Sequence, residues 1–142
     1  MSDRANFTNR TFIQECLEKA IKEIVKDPLL RVFPSLDRDT QNSPGSPNIS
    51  ETIFQKIANC RVFVADVTPT SLPIIGLKGT IAKLVGISGS RITPNPNVLV
   101  ELGFAAGCLG WDRCLLINNT AFGKIEDLPF DLRSRRIVAY HL

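Results

Sequence analysis

The sequence contains a single histidine, His141, which is the penultimate of its 142 residues. Zinc sites built on histidine and Ser-His-Asp triads need a histidine inside the fold, so these enzyme classes are excluded. The four cysteines show no C-x-x-C spacing, which is the usual sign of a metal or redox motif. We therefore expect no metal site and four reduced thiols. Any catalysis has to use carboxylates, arginines and backbone amides.

Long apolar runs and strong net charge are also missing. The longest nearly apolar run, residues 98–109, is too short to span a bilayer and contains Glu101. The first ten residues, MSDRANFTNR, lack the apolar segment of a secretory signal. The net charge of +3 is too small to indicate nucleic acid by itself. These features predict a cytoplasmic protein with no membrane and no nucleic-acid partner.

The apolar pattern alternates between helices and strands. Helices are predicted over residues 12–25, 46–59 and 96–109, and strands over residues 29–36, 61–67, 113–118 and 137–140. Pro34 cannot donate a hydrogen bond to a neighbouring strand, so residues 29–36 are predicted to form an edge strand. The continuous apolar run at residues 61–67 is typical of a central strand. The alternation favours a parallel α/β sheet in a single domain over residues 1–142, with a variable insert at residues 69–93.

Glu101 is the only ionisable residue in the helix VLVELGFAAGCL, which is apolar on all sides and therefore predicted to be largely buried. A buried carboxylate is costly without a partner. Asn97 lies four residues earlier on the same face, towards the helix N-terminus. That end adjoins the carboxyl edge of a parallel sheet, where ligands bind and where Asp66 is expected. Two interpretations stay open: Glu101 belongs to a ligand site, or it pairs with an arginine and maintains packing.

The dipeptide Gly45-Ser46 precedes Pro47 at the predicted start of the second helix. The free amides and the dipole of a helix N-terminus attract anions, so this position is a candidate anion site. An ordinary capped turn is the alternative interpretation.

Three segments resemble a bacterial family of nucleotide-binding proteins with a TIR-like (Toll/interleukin-1 receptor-like) domain. They are VFVADVT (62–68), PNPNVLVELGFAAGCLGW (94–111) and EDLPFDLRSRR (126–136). Residues 9–21 and 36–49 are also similar to that group. The resemblance implies a flavodoxin-like TIR fold, in which helices flank a parallel sheet, and a role in antiphage or innate immune signalling. It also implies homo-oligomers formed through TIR–TIR contacts.

The resemblance further implies that NAD is a substrate, with no cofactor required. Glu101 matches the glutamate that cleaves the nicotinamide–ribose bond in catalytic TIR domains. Residues 37–46 occupy the place of the BB loop, which gates the site. The expected substrate-binding residues are Arg10, Arg38, Asp39, Gly45, Ser46, Asp66 and Asn97.

The N-terminus departs from the family pattern. Relatives begin with a strand that ends in a turn containing Ser and Trp, and this chain starts inside that turn. The corresponding strand would be central in a sheet of order 2-1-3-4-5. Its absence would leave unpaired edges on residues 29–36 and 61–67. Three outcomes stay open: the two strands pair directly, a segment of the insert at residues 69–93 enters between them, or a second chain supplies the strand. We favour the homo-oligomer.

Three functions remain open. In an NAD glycohydrolase, nicotinamide leaves as a neutral base, so one carboxylate can suffice without a general acid. A nucleoside deoxyribosyltransferase-like enzyme would need an acid, such as Asp66 or Asp39, to protonate the departing base. A non-catalytic TIR module would bind nucleotide or self-associate without any reaction.

Overall fold

The computed structural model describes residues 8–37, 48–70 and 93–142. Its contacts divide the chain into two compact units, Met1–Ile53 and Phe54–Leu142. Each unit is described by itself below. The organisation of residues 1–142 as a single domain stays a prediction.

The first unit contains helix α1, Asn9–Ile24. Thr8 caps it, because its hydroxyl oxygen accepts a hydrogen bond from the backbone N–H of Thr11 at 3.3 Å. The predicted helix is confirmed, with its start three residues earlier than the apolar pattern indicated. None of its residues is buried.

The predicted strand at residues 29–36 is wrong, because this segment is irregular. Asp27 forms a turn at its start: its carboxylate accepts from Leu29 N–H at 2.9 Å, and its carbonyl accepts from Leu30 N–H at 3.1 Å. Pro34 lacks an N–H for a ladder. Leu29 and Phe33 are exposed, so these apolar residues do not form the inner face of a sheet.

Helix α2, Ile49–Asn59, spans the boundary between the two units. Its predicted cap, Ser46, lies outside the described residues. Asn48 contacts the first turn, since its carbonyl accepts from Thr52 N–H at 3.0 Å. Ile57 is the buried residue of this helix, in agreement with the predicted apolar stripe.

The second unit contains a parallel sheet. The strands among the described residues are β1 (Phe63–Asp66), β2 (Pro69–Thr70), β3 (Thr93–Pro94), β4 (Cys114–Asn119) and β5 (Ile137–Tyr140). The parallel sheet has the order β1-β4-β5, so the predicted parallel α/β class is confirmed. Within the described residues β1 pairs with β4 alone. The central strand there is therefore β4 rather than the predicted residues 61–67, because β4 has neighbours on both sides.

Helix α3, Pro96–Leu109, has the predicted boundaries. Asn95 caps its start, and Gly110 ends it with a φ of 85°, a conformation that favours glycine. The composition of this helix predicted burial on all sides, and the structure shows burial on one side only. Leu102 and other residues of one stripe are buried, whereas Val100 on the opposite face is 61% exposed.

The core lies between α3, the sheet and the segment that follows β4. Its buried members are Ala65, Val67, Leu102, Leu116, Leu128 and Leu132. The last of these belongs to a short helix, α4, Phe130–Arg133. This packing fixes α3 against β1 and β4, so the N-terminal half of α3 has a defined position relative to the sheet.

Candidate functional site at the carboxyl edge of the sheet

Thr68 joins the carboxyl ends of β1 and β4. Its backbone N–H donates to the Asp66 carboxylate at 3.0 Å, and its hydroxyl donates to the same oxygen. The Thr68 hydroxyl oxygen accepts from Asn119 N–H at 2.9 Å. Thr68 is only 7% exposed, so the contact with Asn119 is shielded from water and the two contacts with Asp66 are partly shielded. The Asp66 carboxylate, itself half-buried, is therefore held in one orientation by a hydroxyl and an amide.

Two asparagines at the end of β4 anchor the segments around this edge, and both are fully buried. The Asn119 side-chain oxygen accepts from Ala121 N–H at 3.0 Å and from Leu142 N–H at 3.3 Å. The Asn118 side-chain amide donates to the carbonyl of Gly123 at 3.1 Å. The Asn118 Oδ1 atom is buried and has no hydrogen-bond partner among the described residues.

The β2–β3 pair brings the start of α3 to the same edge. Pro69 pairs in antiparallel register with Pro94, and the Thr70 hydroxyl donates to the Thr93 carbonyl at 3.2 Å. β2 begins three residues after Asp66, and α3 begins two residues after Pro94. The β2–β3 pairing therefore brings the carboxyl end of β1 and the N-terminus of α3 together. The expectation that Asp66 and the N-terminus of α3 share one edge is therefore consistent with the connectivity of the described residues.

Glu101 lies in the second turn of α3 and is half-buried. It stands between the exposed Val100 and the buried Leu102, on the border between the core and solvent. Asn97 lies one turn earlier and is exposed, and its N–H donates to the Asn95 side-chain oxygen at 2.9 Å. A carboxylate at this position can meet a ligand that lies over the N-terminal half of the helix. The catalytic role of Glu101 and the binding roles of Asp66 and Asn97 stay predictions.

The remaining predicted site residues lie in the first unit or outside the described residues. Arg10 lies in the first turn of α1, is exposed and belongs to the first unit. The other four, Arg38, Asp39, Gly45 and Ser46, lie outside the described residues. The predicted BB-loop position of residues 37–46 lies outside them as well, except for Asp37.

Sequence reasoning had not identified Thr68, Asn118 and Asn119 as site residues. A signal was present in each case. Thr68 follows Asp66 by two residues, the spacing at which an aspartate side chain bonds its own backbone. The polar pair Asn118-Asn119 ends an otherwise apolar strand, CLLINN, where parallel strands place their ligand-facing residues.

In the described parts of the chain, no group of three or more His, Cys, Asp or Glu side chains could hold a metal ion. Over the same ranges, every helix is too short or too polar to cross a bilayer. The polar groups that the described residues place at this edge of the sheet are carboxylates, amides and hydroxyls.

A family model for the TIR domain of the CAP12/Pycsar effector proteins matches residues 10–132. No match was found among curated proteins, and none among solved structures. The matched range includes α3 and the strands β1 and β4 of the parallel sheet, together with Asp66, Asn97 and Glu101. The sheet order β1-β4-β5 agrees with the flavodoxin-like arrangement of TIR domains. The chain belongs to the TIR domain family of the CAP12/Pycsar effectors, which act in bacterial antiphage defence.

Proposed function

We propose that this TIR domain hydrolyses the bond between nicotinamide and ribose in NAD, with Glu101 as its catalytic residue. The bond breaks with both electrons moving to the pyridinium nitrogen, so nicotinamide leaves as a neutral base. The ribose is left as an oxocarbenium-like cation, which water then attacks. The family acts in antiphage defence. Loss of NAD, a metabolite that the host and the phage share, is a reaction suited to such a defence.

The position of Glu101 is the observation that carries this proposal. It is half-buried on α3, a helix whose start adjoins the carboxyl edge of the sheet. A carboxylate with little surrounding water stabilises a developing positive charge more strongly than one in bulk solvent. The reaction needs no acid at the leaving group, which suits a sequence that contains a single histidine.

Asp66 and Asn97 have supporting roles in this proposal. The Asp66 carboxylate already accepts two hydrogen bonds from Thr68, so it is oriented before any ligand arrives. It can accept a hydrogen bond from a ribose hydroxyl. The exposed Asn97 side chain can donate to, or accept from, the nicotinamide carboxamide or a ribose hydroxyl. Neither group is needed to transfer a proton to nicotinamide.

The test is nicotinamide release from NAD by the purified protein and by its Glu101→Gln variant. Glutamine keeps the shape and removes the charge, so we expect turnover to fall by about 100-fold or more. Glu126→Gln is the matched control, because Glu126 is exposed on the 3₁₀ turn Ile125–Asp127. It should keep wild-type turnover. Wild-type turnover in Glu101→Gln, with an unchanged unfolding midpoint, would contradict the assignment.

Self-association belongs to the same proposal, because TIR domains act through TIR–TIR contacts. The same assay is therefore run over a range of protein concentrations, with light scattering on each sample. We expect turnover per molecule to rise as the scattering mass rises. A parallel reaction with a deoxynucleoside and a free base tests the transferase alternative. Base exchange without loss of NAD would support the transferase and contradict the proposed NAD hydrolysis. The absence of both activities at every protein concentration would favour a non-catalytic module.

A further inference from the structure

Three of the four cysteines lie at the amino edge of the parallel sheet, opposite the candidate site. Cys114 is the first residue of β4 and pairs in register with Phe63, the first residue of β1. Cys60 precedes Phe63 by three residues. Cys108 is in the last turn of α3, which leads into β4. We call Cys60, Cys108 and Cys114 the thiol cluster. The fourth cysteine, Cys16, lies on α1 in the first unit.

The packing of two helices explains why Cys60 and Cys108 come together. The rings of Phe54 on α2 and Phe104 on α3 have centroids 4.7 Å apart. Cys108 follows Phe104 by four residues, which is about 6 Å along the axis of α3 at 1.5 Å per residue. Cys60 follows Phe54 by six residues, which is about 9 Å along the axis of α2. Both helices end at the amino edge of the sheet, because each leads into one of two adjacent parallel strands.

The electrostatics of the three thiols agree with this placement. Burial raises the pKa of Cys60, the Cys108 side chain raises it further, and the Arg113 guanidinium opposes both. Burial is also the largest cause that raises the pKa of Cys114. The side chains of Cys60 and then Cys108 raise that pKa further, and the Arg113 guanidinium lowers it. The neighbouring cysteines and Arg113 thus influence the pKa of both half-buried thiols, in agreement with the placement of all three cysteines at one edge of the sheet.

The thiols differ in how freely they can react. Cys108 is exposed, whereas Cys60 and Cys114 are half-buried. The backbone of Cys114 is held in the β1–β4 ladder. Cys60 lies between α2 and β1, outside both elements, so no strand ladder holds its backbone, and its N–H donates to the Ile57 carbonyl at 3.2 Å. Cys108 is therefore the thiol that meets a reagent first, and Cys60 is its better-placed partner.

We propose that the thiol cluster is a site of reversible oxidation by peroxides, at which Cys60 and Cys108 form a disulfide. In the first step the Cys108 thiolate attacks one oxygen of hydrogen peroxide, the O–O bond breaks, and a sulfenic acid and hydroxide form. In the second step the Cys60 thiolate attacks the Cys108 sulfur, the S–O bond breaks, and the departing hydroxide takes up a proton to become water. Both sulfurs are oxidised and the peroxide is reduced to water.

The disulfide would tie the end of α2 to the end of α3. It closes a loop that contains β1 and most of α3, and it therefore restricts the unfolded chain as well as the two helices. A dithiol such as dithiothreitol reverses the reaction by exchange. The candidate site at the other edge of the sheet takes no part in this chemistry, so the test does not depend on the proposed NAD activity.

The test exposes the chain to hydrogen peroxide, alkylates the remaining thiols and maps the peptides without reduction. The reduced protein has four free thiols. We expect oxidation to leave two, Cys16 and Cys114, with the Cys60 and Cys108 peptides linked, and we expect dithiothreitol to restore all four. Cys108→Ser and Cys60→Ala should each abolish the linked peptide. Cys16→Ser is the matched control and should leave it unchanged.

Three results would overturn the proposal. The first is a sulfinic acid at Cys108 with Cys60 still free to be alkylated. The second is a disulfide that joins Cys114 to either of the other two members of the thiol cluster. The third is oxidation that yields only linked dimers, which Cys16→Ser abolishes. Because the mapping is made on the unaltered chain, the conclusion stands even where a variant does not fold.

Discussion

Replacing Thr68 by valine tests whether its hydroxyl holds the two strand ends together. Valine keeps the β-branched shape and removes one oxygen. The change deletes the hydrogen bond from the hydroxyl to the Asp66 carboxylate and the bond from Asn119 N–H to the hydroxyl. Thr68 is 7% exposed and Asn119 is fully buried, so water cannot easily replace either contact. Both losses therefore appear in the free energy of unfolding.

The size of the effect follows from the two contacts. A hydrogen bond to a charged group contributes about 1.5–3 kcal/mol, and a neutral one about 1 kcal/mol. Their sum predicts that Thr68→Val lowers the free energy of unfolding by about 3 kcal/mol. For a chain of this length, such a loss lowers the melting temperature by roughly 10 °C. The substitution also releases the Asp66 carboxylate from its hydroxyl donor, which disturbs the candidate site.

The measurement is a urea denaturation curve for Thr68→Val, the wild-type protein and a matched control. Thr70→Val is the control, because the Thr70 hydroxyl donates one hydrogen bond, to the Thr93 carbonyl at 3.2 Å, and the residue is exposed. It should cost about 1 kcal/mol or less. If Thr68→Val and Thr70→Val cost the same, the buried bridge between Asp66 and Asn119 does not stabilise the edge of the sheet, and this reasoning is refuted.

Two further predictions concern packing and pH. Gly123→Ala should destabilise the fold by about 1–3 kcal/mol, because the added Cβ would lie 2.7 Å from Cγ of Pro69, whose ring is rigid; an unchanged urea midpoint would show that the loop after β4 shifts freely. Burial first, and neighbouring thiols second, raise the pKa of Cys60 and Cys114 in the folded protein. Their contribution to stability is therefore complete at neutral pH and is lost as the pH rises above about 8.5, the pKa of an unfolded thiol. Urea curves under reducing conditions should show this decline, and the double substitution of both cysteines by alanine should weaken it; an equal decline in the double variant would contradict the assignment.

Much of α3 and its surroundings could be predicted from the sequence. Asn95-Pro96 and Gly110 set the ends of the helix through contacts within a few residues, and the structure has the same ends. The apolar runs that became β4 and β5 were also recognised. Glu101 was identified because a single carboxylate in an apolar helix is costly and therefore informative. These features depend on neighbours in sequence, so they are visible before folding is considered.

Other features depend on partners that are distant in the chain. Residues 29–36 have the composition of a strand, yet a strand forms only where a neighbour accepts its hydrogen bonds, and here Asp27 starts a turn instead. The bond between Thr68 and Asn119 joins residues 51 positions apart. The placement of Cys60 and Cys108 at one edge of the sheet follows from the packing of α2 on α3 at Phe54 and Phe104.

The sequence by itself determined the class of the fold, the boundaries of α3 and the position of its one carboxylate, because propensity, capping and apolar periodicity act over one or two helical turns. Only the tertiary structure decided which of the described strands is central, which hydroxyl links the strand ends and which cysteines lie at one edge of the sheet. These depend on the pairing register of β1 with β4 and on the burial that follows from it. The energy of a hydrogen bond or a thiol charge changes with its distant neighbours and with the water they exclude, and no local pattern of residues records either.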